Sequence, residues 1–134
     1  MRKPDWPSRM LDILDEHVER PFAWGVSDCG ILFADAVVAQ TGFDPLAGMR
    51  GYRTKAGALR VLRRAGFASV AELVAARFEE IPLAQAGRGD LGLPEVADAL
   101  TSPAVITGAL AVSKDENGPV TLSRSLIKRA FKVF

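Results

Sequence analysis

The hydrophobic period of the sequence changes near Ile81-Pro82, and this change limits the fold more than any other feature. Before it, apolar residues recur at spacings of three and four, which is typical of amphipathic helices. After it come short β-leaning runs, with a strong hairpin signal at Asn117-Gly118. Helices followed by antiparallel strands predict an α+β fold, with N-terminal helices packed on a C-terminal antiparallel sheet.

Four helices are predicted from capping signals and apolar spacing. The first helix is expected to end at Pro21, and the second to begin at a Ser27 or Asp28 cap and end at Gln40, before Gly42. The third is expected to run from a Thr54 cap to Ala65, and the fourth from a Ser69–Glu72 capping box to near Phe78. The strands are expected in the runs Ala104–Thr107, Ala109–Ser113, Val120–Leu122 and Ile127–Val133. The second helix is apolar on most sides, so we expect it to be buried at the centre. We expect one domain over 1–134, with a helical part at about 1–80 and a sheet part at about 88–134.

Composition excludes several classes of function. Lys and Arg total 17 against 16 Asp and Glu, and this balance argues against binding nucleic acid or a membrane through bulk charge. One Cys excludes an internal disulfide, and one Cys with one His excludes the usual zinc ligand set, so no metal or cofactor is expected. No signal peptide is visible, and the apolar stretch 30–39 is too short to span a bilayer. We therefore expect synthesis in the bacterial cytoplasm.

Cys29 is the residue best placed for chemistry. It falls in the first turn of the predicted second helix, where free backbone N–H groups and the helix dipole favour an anion and would lower the pKa of the thiol. The neighbouring Asp28 opposes that shift unless its carboxylate is occupied in capping. The alternative is that Cys29 is a small buried apolar residue, as many single cysteines are.

The residues around Cys29 resemble a known motif. Phe22-Ala23-Trp24-Gly25 followed by Asp28-Cys29 is similar to the nucleophile motif of the NlpC-type cell-wall cysteine peptidases, a papain-like family. The resemblance continues at Gly42 and at Arg88-Gly89-Asp90-Leu91, which is similar to the Gly-Asp-Leu that begins the family's first sheet strand. It covers roughly Phe22 to Phe134. Similarity to a phage-tail branch, encoded among tail-tip genes of siphoviruses and gene-transfer agents, is carried by Asp35, Thr41–Pro45, Arg50–Tyr52 and Ala56.

The resemblance implies a papain-like, NlpC-type fold with Cys29 at the nucleophile position and Asp28 adjacent to it. Trp24 is expected to pack under the cysteine loop, with substrate binding as the alternative. The family's base is a His on the strand after the Gly-Asp-Leu, and the matching region from Ser102 to Gly108 contains none. His17, flanked by charged residues, is expected on a solvated helix face. Because amide cleavage needs a base that takes and returns a proton, the catalytic set is incomplete.

Three functions remain open on these observations. The leading hypothesis is a structural or assembly component of a phage-type tail tip with a degenerate active site, whose partners would be other tail-tip or hub proteins. The alternatives are an active peptidoglycan endopeptidase and a cell-wall-binding module that does not cleave. The segment from Arg50 to Arg64 contains six basic residues, and no acidic residue lies between Asp44 and Glu72. This segment is expected to form either a solvated helix face or a site for an acidic protein or an anionic cell-wall polymer.

Overall fold

The computed structural model describes residues 1–134 and contains four helices and six strands. The helices are α1 (Trp6–Glu19), α2 (Cys29–Thr41), α3 (Lys55–Arg64) and α4 (Val70–Arg77). The strands are β1 (Glu79–Ile81), β2 (Leu91–Pro94), β3 (Ala104–Ile106), β4 (Leu110–Asp115), β5 (Gly118–Ser123) and β6 (Ile127–Lys132). The expected α+β class is confirmed.

Helices α2, α3 and α4 begin at the predicted caps, and all four helices end within two residues of the expected limits. The side chains of Asp28, Thr54 and Ser69 each accept a hydrogen bond from a backbone N–H in the first turn of the helix that follows. Gly42 ends α2 with a φ of +81°, a left-handed conformation that glycine adopts without a steric penalty. These local signals fix both the start of α2 and the position of Cys29 as its first residue.

All six strands form one antiparallel sheet in the order β1-β6-β2-β3-β4-β5. The predicted hairpin at Asn117-Gly118 joins β4 to β5, with Asp115 opposite Gly118. β1 is a strand that the sequence pattern did not predict. It lies ahead of the expected sheet part, so the Gly-Asp-Leu segment leads into the second strand of the sheet rather than the first. β6 lies inside the sheet because it pairs with both β1 and β2.

The expected central burial of α2 is confirmed. Its residues Leu32, Phe33 and Val37 have no exposed surface and belong to the main hydrophobic cluster with β2, β3 and β6. α1 packs along α2, and α2 lies against β3 and β4. The N-terminus of α2 therefore points its first side chains at the segment that leads into β3. None of the helices has the length and apolar character that crossing a membrane requires.

Candidate functional site

Cys29 faces a small apolar cavity between α2, α3 and the segment before β3. The cavity has a volume of about 40 Å³, and its lining includes Trp24, Met49, Val61, Leu100 and Ser102. A water molecule needs roughly 10–15 Å³ on this measure, whereas cavities that enclose drug-sized ligands are roughly 300–1,000 Å³. The cavity therefore has room for a few waters or one small apolar group.

The thiol of Cys29 meets no basic group. Its Sγ lies 3.3 Å from Ser102 Oγ and 3.8 Å from the Leu100 carbonyl oxygen. The Ser102 hydroxyl donates in turn to the same carbonyl at 3.1 Å. Hydrogen bonds therefore run from the thiol through a hydroxyl to a carbonyl, and none of these partners takes up a proton near neutral pH.

The pKa of Cys29 is raised above its usual value, so the expected lowering by the helix N-terminus is wrong. Burial in the apolar cavity is the main cause, and the negative charge of Asp28 adds to it, while the hydrogen bond with Ser102 acts in the opposite direction. Desolvation disfavours a thiolate more strongly than the helix dipole stabilises it. The thiol is therefore protonated at neutral pH.

Asp28 is buried and holds the loop before α2 in place. One carboxylate oxygen accepts from the Ile31 N–H at 2.8 Å. The other accepts from the Gly25 N–H at 2.9 Å and from the Tyr52 hydroxyl at 2.7 Å. With three donors on one carboxylate, Asp28 serves as a structural cap, and its position next to Cys29 adds a charge that disfavours the thiolate.

Tyr52 and Gly25 lock the same loop from the other side. Burial and the Asp28 carboxylate raise the pKa of the Tyr52 phenol, which stays protonated and can donate. Gly25 has a φ of +77°, and a Cβ there would lie 1.8 Å from the Tyr52 carbonyl oxygen. Only glycine allows this approach of the two backbones.

Trp24 lines the cavity beside Cys29 and is half-buried. Its ring packs edge-on against Phe22, with ring centroids 5.0 Å apart. Trp24 thus forms part of the cavity wall, with Phe22 packed behind it, and lies next to any group that enters.

His17 is fully buried, so its expected position on a solvated face is wrong. Its Nδ1 lies 2.8 Å from Ser27 Oγ and its Nε2 lies 2.8 Å from Asp35 Oδ2. Because a carboxylate only accepts, Nε2 carries a proton. The sequence does contain the signal for burial, since Met10, Leu14 and His17 follow the spacing of the inner face of α1.

The His17 cluster is separate from the thiol. Asp35 follows Cys29 by six residues on α2, which is about 9 Å along the helix axis and about a third of a turn away from it in direction. Lys114 completes the cluster by donating to Ser27 Oγ at 2.6 Å and to the carbonyl oxygens of Arg20 and His17. With both ring nitrogens occupied here, His17 is not the base for Cys29.

Asp35 connects this cluster to the loop after α2. Burial alone would raise its pKa, but the hydrogen bond from His17 and the charge of Arg50 lower it overall. Arg50 lies 3.0 Å from Asp35 and 2.9 Å from Asp44. Two ion pairs thus join Asp35 on α2 to Arg50 and Asp44 in the loop that follows this helix.

Three residues that contact the site were not predicted from the sequence. Ser102, Tyr52 and Lys114 reach Cys29, Asp28 and Ser27 across 73, 24 and 87 residues. Only Ser102 offered a signal, because it begins the segment 102–108 in which the resemblance to the NlpC-type peptidases implies a base. No group of three or more His, Cys, Asp or Glu side chains is arranged to hold a metal ion.

Residues 1–133 match the family described as Domain of unknown function (DUF6950). The chain belongs to this family. The matched range takes in all four helices and the full sheet, so the DUF6950 match spans both the thiol cavity and the His17 cluster. No curated protein matches the chain.

Proposed function

We propose that this protein is a non-hydrolysing assembly component of a phage-type tail tip, built on an NlpC-like, papain-like domain. The observation that carries the loss of hydrolysis is the set of partners of Cys29. Its thiol meets a hydroxyl and a carbonyl oxygen, and burial raises its pKa. A peptidase needs a group that takes the thiol proton and later returns it to the leaving amine.

Ser102 occupies the position that a base would need. Its Oγ lies 3.3 Å from the Cys29 sulfur, within hydrogen-bonding reach. A serine hydroxyl cannot serve as a general base near neutral pH, and the general acid–base contribution is worth about 10²- to 10⁴-fold in rate. His17 cannot replace it because its two nitrogens are bound to Ser27 and Asp35.

The tail-tip assignment is supported by the resemblance of Asp35, Thr41–Pro45 and Arg50–Tyr52 to the phage-tail branch. In the structure, residues of this set brace the fold: Arg50 bridges Asp35 and Asp44, and Tyr52 donates to Asp28. These contacts stabilise the fold and do not activate the thiol. Such a scaffold suits a building block that contacts other tail-tip or hub proteins.

Two measurements test the proposal. The purified chain and its Cys29→Ala variant are incubated with muropeptides, and released peptides are quantified by mass spectrometry. We expect no release above the buffer blank from either protein, whereas turnover that Cys29→Ala abolishes would establish the endopeptidase alternative. Mass spectrometry of phage-like particles from the bacterium that carries the gene is expected to detect the chain in the tail, and its absence from the particles would contradict the assembly role.

A further inference from the structure

A second pocket lies on the other side of Met49 and Val61 from the thiol cavity. It has a volume of about 260 Å³ and is lined by Ala47, Gly48, Met49, Val61, Arg64, Ala65 and Arg77. Its two charged lining residues are both arginines, and the rest are apolar or glycine. The pocket thus combines an apolar floor with a positive rim.

The positive rim extends along α3. Arg60 and Arg64 are four residues apart, so they project from the same side of the helix, and both are exposed. Neither takes part in an ion pair of the chain. Arg77 is held in place by its hydrogen bond to the Pro45 carbonyl oxygen at 2.9 Å and by stacking on Phe67. We call Arg60, Arg64 and Arg77, with the pocket between them, the basic face.

α1 carries a complementary surface. Leu11, Asp15, Val18 and Glu19 have the spacing of a single helix face, and Leu11 and Val18 are 42% and 44% exposed. Asp15 and Glu19 have no ion-pair partner, whereas Arg9 pairs with Asp5 and Glu16 pairs with Arg20. We call these four residues the acidic face. It presents two branched apolar side chains next to two unpaired carboxylates.

We propose that the acidic face of one copy of this protein docks on the basic face of a second copy. The pocket floor would receive the apolar side chains Leu11 or Val18, and the carboxylates would meet the unpaired arginines. The net charge of +1 leaves little overall repulsion between copies. Nucleic acid is disfavoured as the occupant because Tyr52, the one aromatic residue between Arg50 and Arg64, lines the thiol cavity and not the pocket of the basic face.

This contact joins two different surfaces, so each copy in a pair keeps one free face of each kind. The two faces lie on different elements and no ion pair joins them, so the charges of each face remain available to another copy. Such a head-to-tail contact produces a closed ring or an open chain of subunits. The inference does not require the thiol site to be inactive, and its test reads association rather than hydrolysis.

The test is sedimentation velocity of the full chain at low salt and at about 1 M salt, where the screening length is about 3 Å. We expect assemblies larger than the monomer at low salt that dissociate at high salt. Arg60→Glu with Arg64→Glu should weaken association about tenfold or more, because attraction becomes repulsion. The matched control, Lys128→Glu with Lys132→Glu, makes the same charge change on exposed residues of β6 and should weaken association far less.

Complementation of two variants gives the sharper result. Asp15→Lys with Glu19→Lys should weaken self-association to a similar extent, because both faces are then basic. Mixed in equal amounts, this variant and the Arg60/Arg64 variant each retain the face that the other has lost, so mixed assemblies should form. A native chain that stays monomeric at low salt, equal weakening by the β6 control, or a mixture that remains monomeric would overturn the proposal. So would binding of heparin or DNA by a monomeric chain through Arg60 and Arg64.

Discussion

The reactivity of the Cys29 thiol should follow the titration of a half-buried thiol that no base activates. A thiol with the ordinary pKa of 9.0 is about 1% thiolate at pH 7, and the raised pKa of Cys29 makes the thiolate fraction smaller still. We therefore expect alkylation by iodoacetamide at pH 7 to be slower in the folded protein than in the same protein unfolded in guanidinium. The rate should increase about tenfold per pH unit and show no plateau up to pH 9.

Ser102→Ala tests the one hydrogen bond that opposes this effect. The Ser102 hydroxyl lies 3.3 Å from Sγ and can rotate to donate to the thiolate once the proton has left. Its hydrogen bond lowers the pKa of the thiol for this reason, so its loss should raise that pKa further. A net hydrogen-bond contribution of about 0.5–1.5 kcal/mol corresponds to alkylation about two- to tenfold slower at fixed pH. Cys29→Ala supplies the blank for the mass-spectrometric readout. A rate that is flat between pH 6 and 8 would refute the reasoning, because it would show a thiolate held by a base.

Three further predictions concern stability, measured as the free energy of unfolding in denaturant. The pKa values of Cys29 and Tyr52 are raised, so their contribution to stability is complete below the unfolded pKa values of 9.0 and 10.0 and is lost as pH rises through the higher folded values. Cys29→Ala and Tyr52→Phe should therefore each flatten the decline of stability at alkaline pH. His17→Leu should reduce stability by about 2–4 kcal/mol, because it leaves buried polar groups unpaired, yet leave Cys29 alkylation unchanged, whereas a catalytic His17 would alter both. Gly48→Ala should reduce stability by only about 1–2 kcal/mol, the cost of a left-handed backbone at alanine, because the space around Gly48 is open. Gly25→Ala should reduce stability clearly more, because its Cβ would meet a backbone oxygen, and equal losses would contradict this close approach.

The local features of the fold were open to prediction from sequence. Helix caps such as Asp28 and Thr54 depend on contacts within a few residues, and the Asn117-Gly118 hairpin depends on turn geometry alone. The position of Cys29 at the start of a buried helix was predicted for the same reason. β1 was missed because its sequence, Glu79–Ile81, is acidic and carries no strand signal. It forms because β6 pairs with it, with Arg129 binding Glu80 at 2.8 Å.

The chemistry of the site depended on contacts that sequence spacing does not reveal. The helix N-terminus gave the wrong direction for the pKa of Cys29 because the apolar cavity is assembled from distant segments, including Leu100 and Ser102. His17 was misjudged because its charged neighbours in sequence point away from the side of α1 that it shares with Leu14. Burial by tertiary packing decided both outcomes.

The interior place of β6 has a consequence for how the chain reaches its native state. Glu79 pairs with Lys132 and Leu91 pairs with Phe131, so neither β1 nor β2 finds this neighbour until translation has passed β6. Until then, the helices and the β3–β5 meander can form, but the gap between β1 and β2 exposes unpaired backbone. Long-range pairing of this kind slows folding and invites aggregation, so β6 is the segment at which nascent-chain protection by chaperones would matter most.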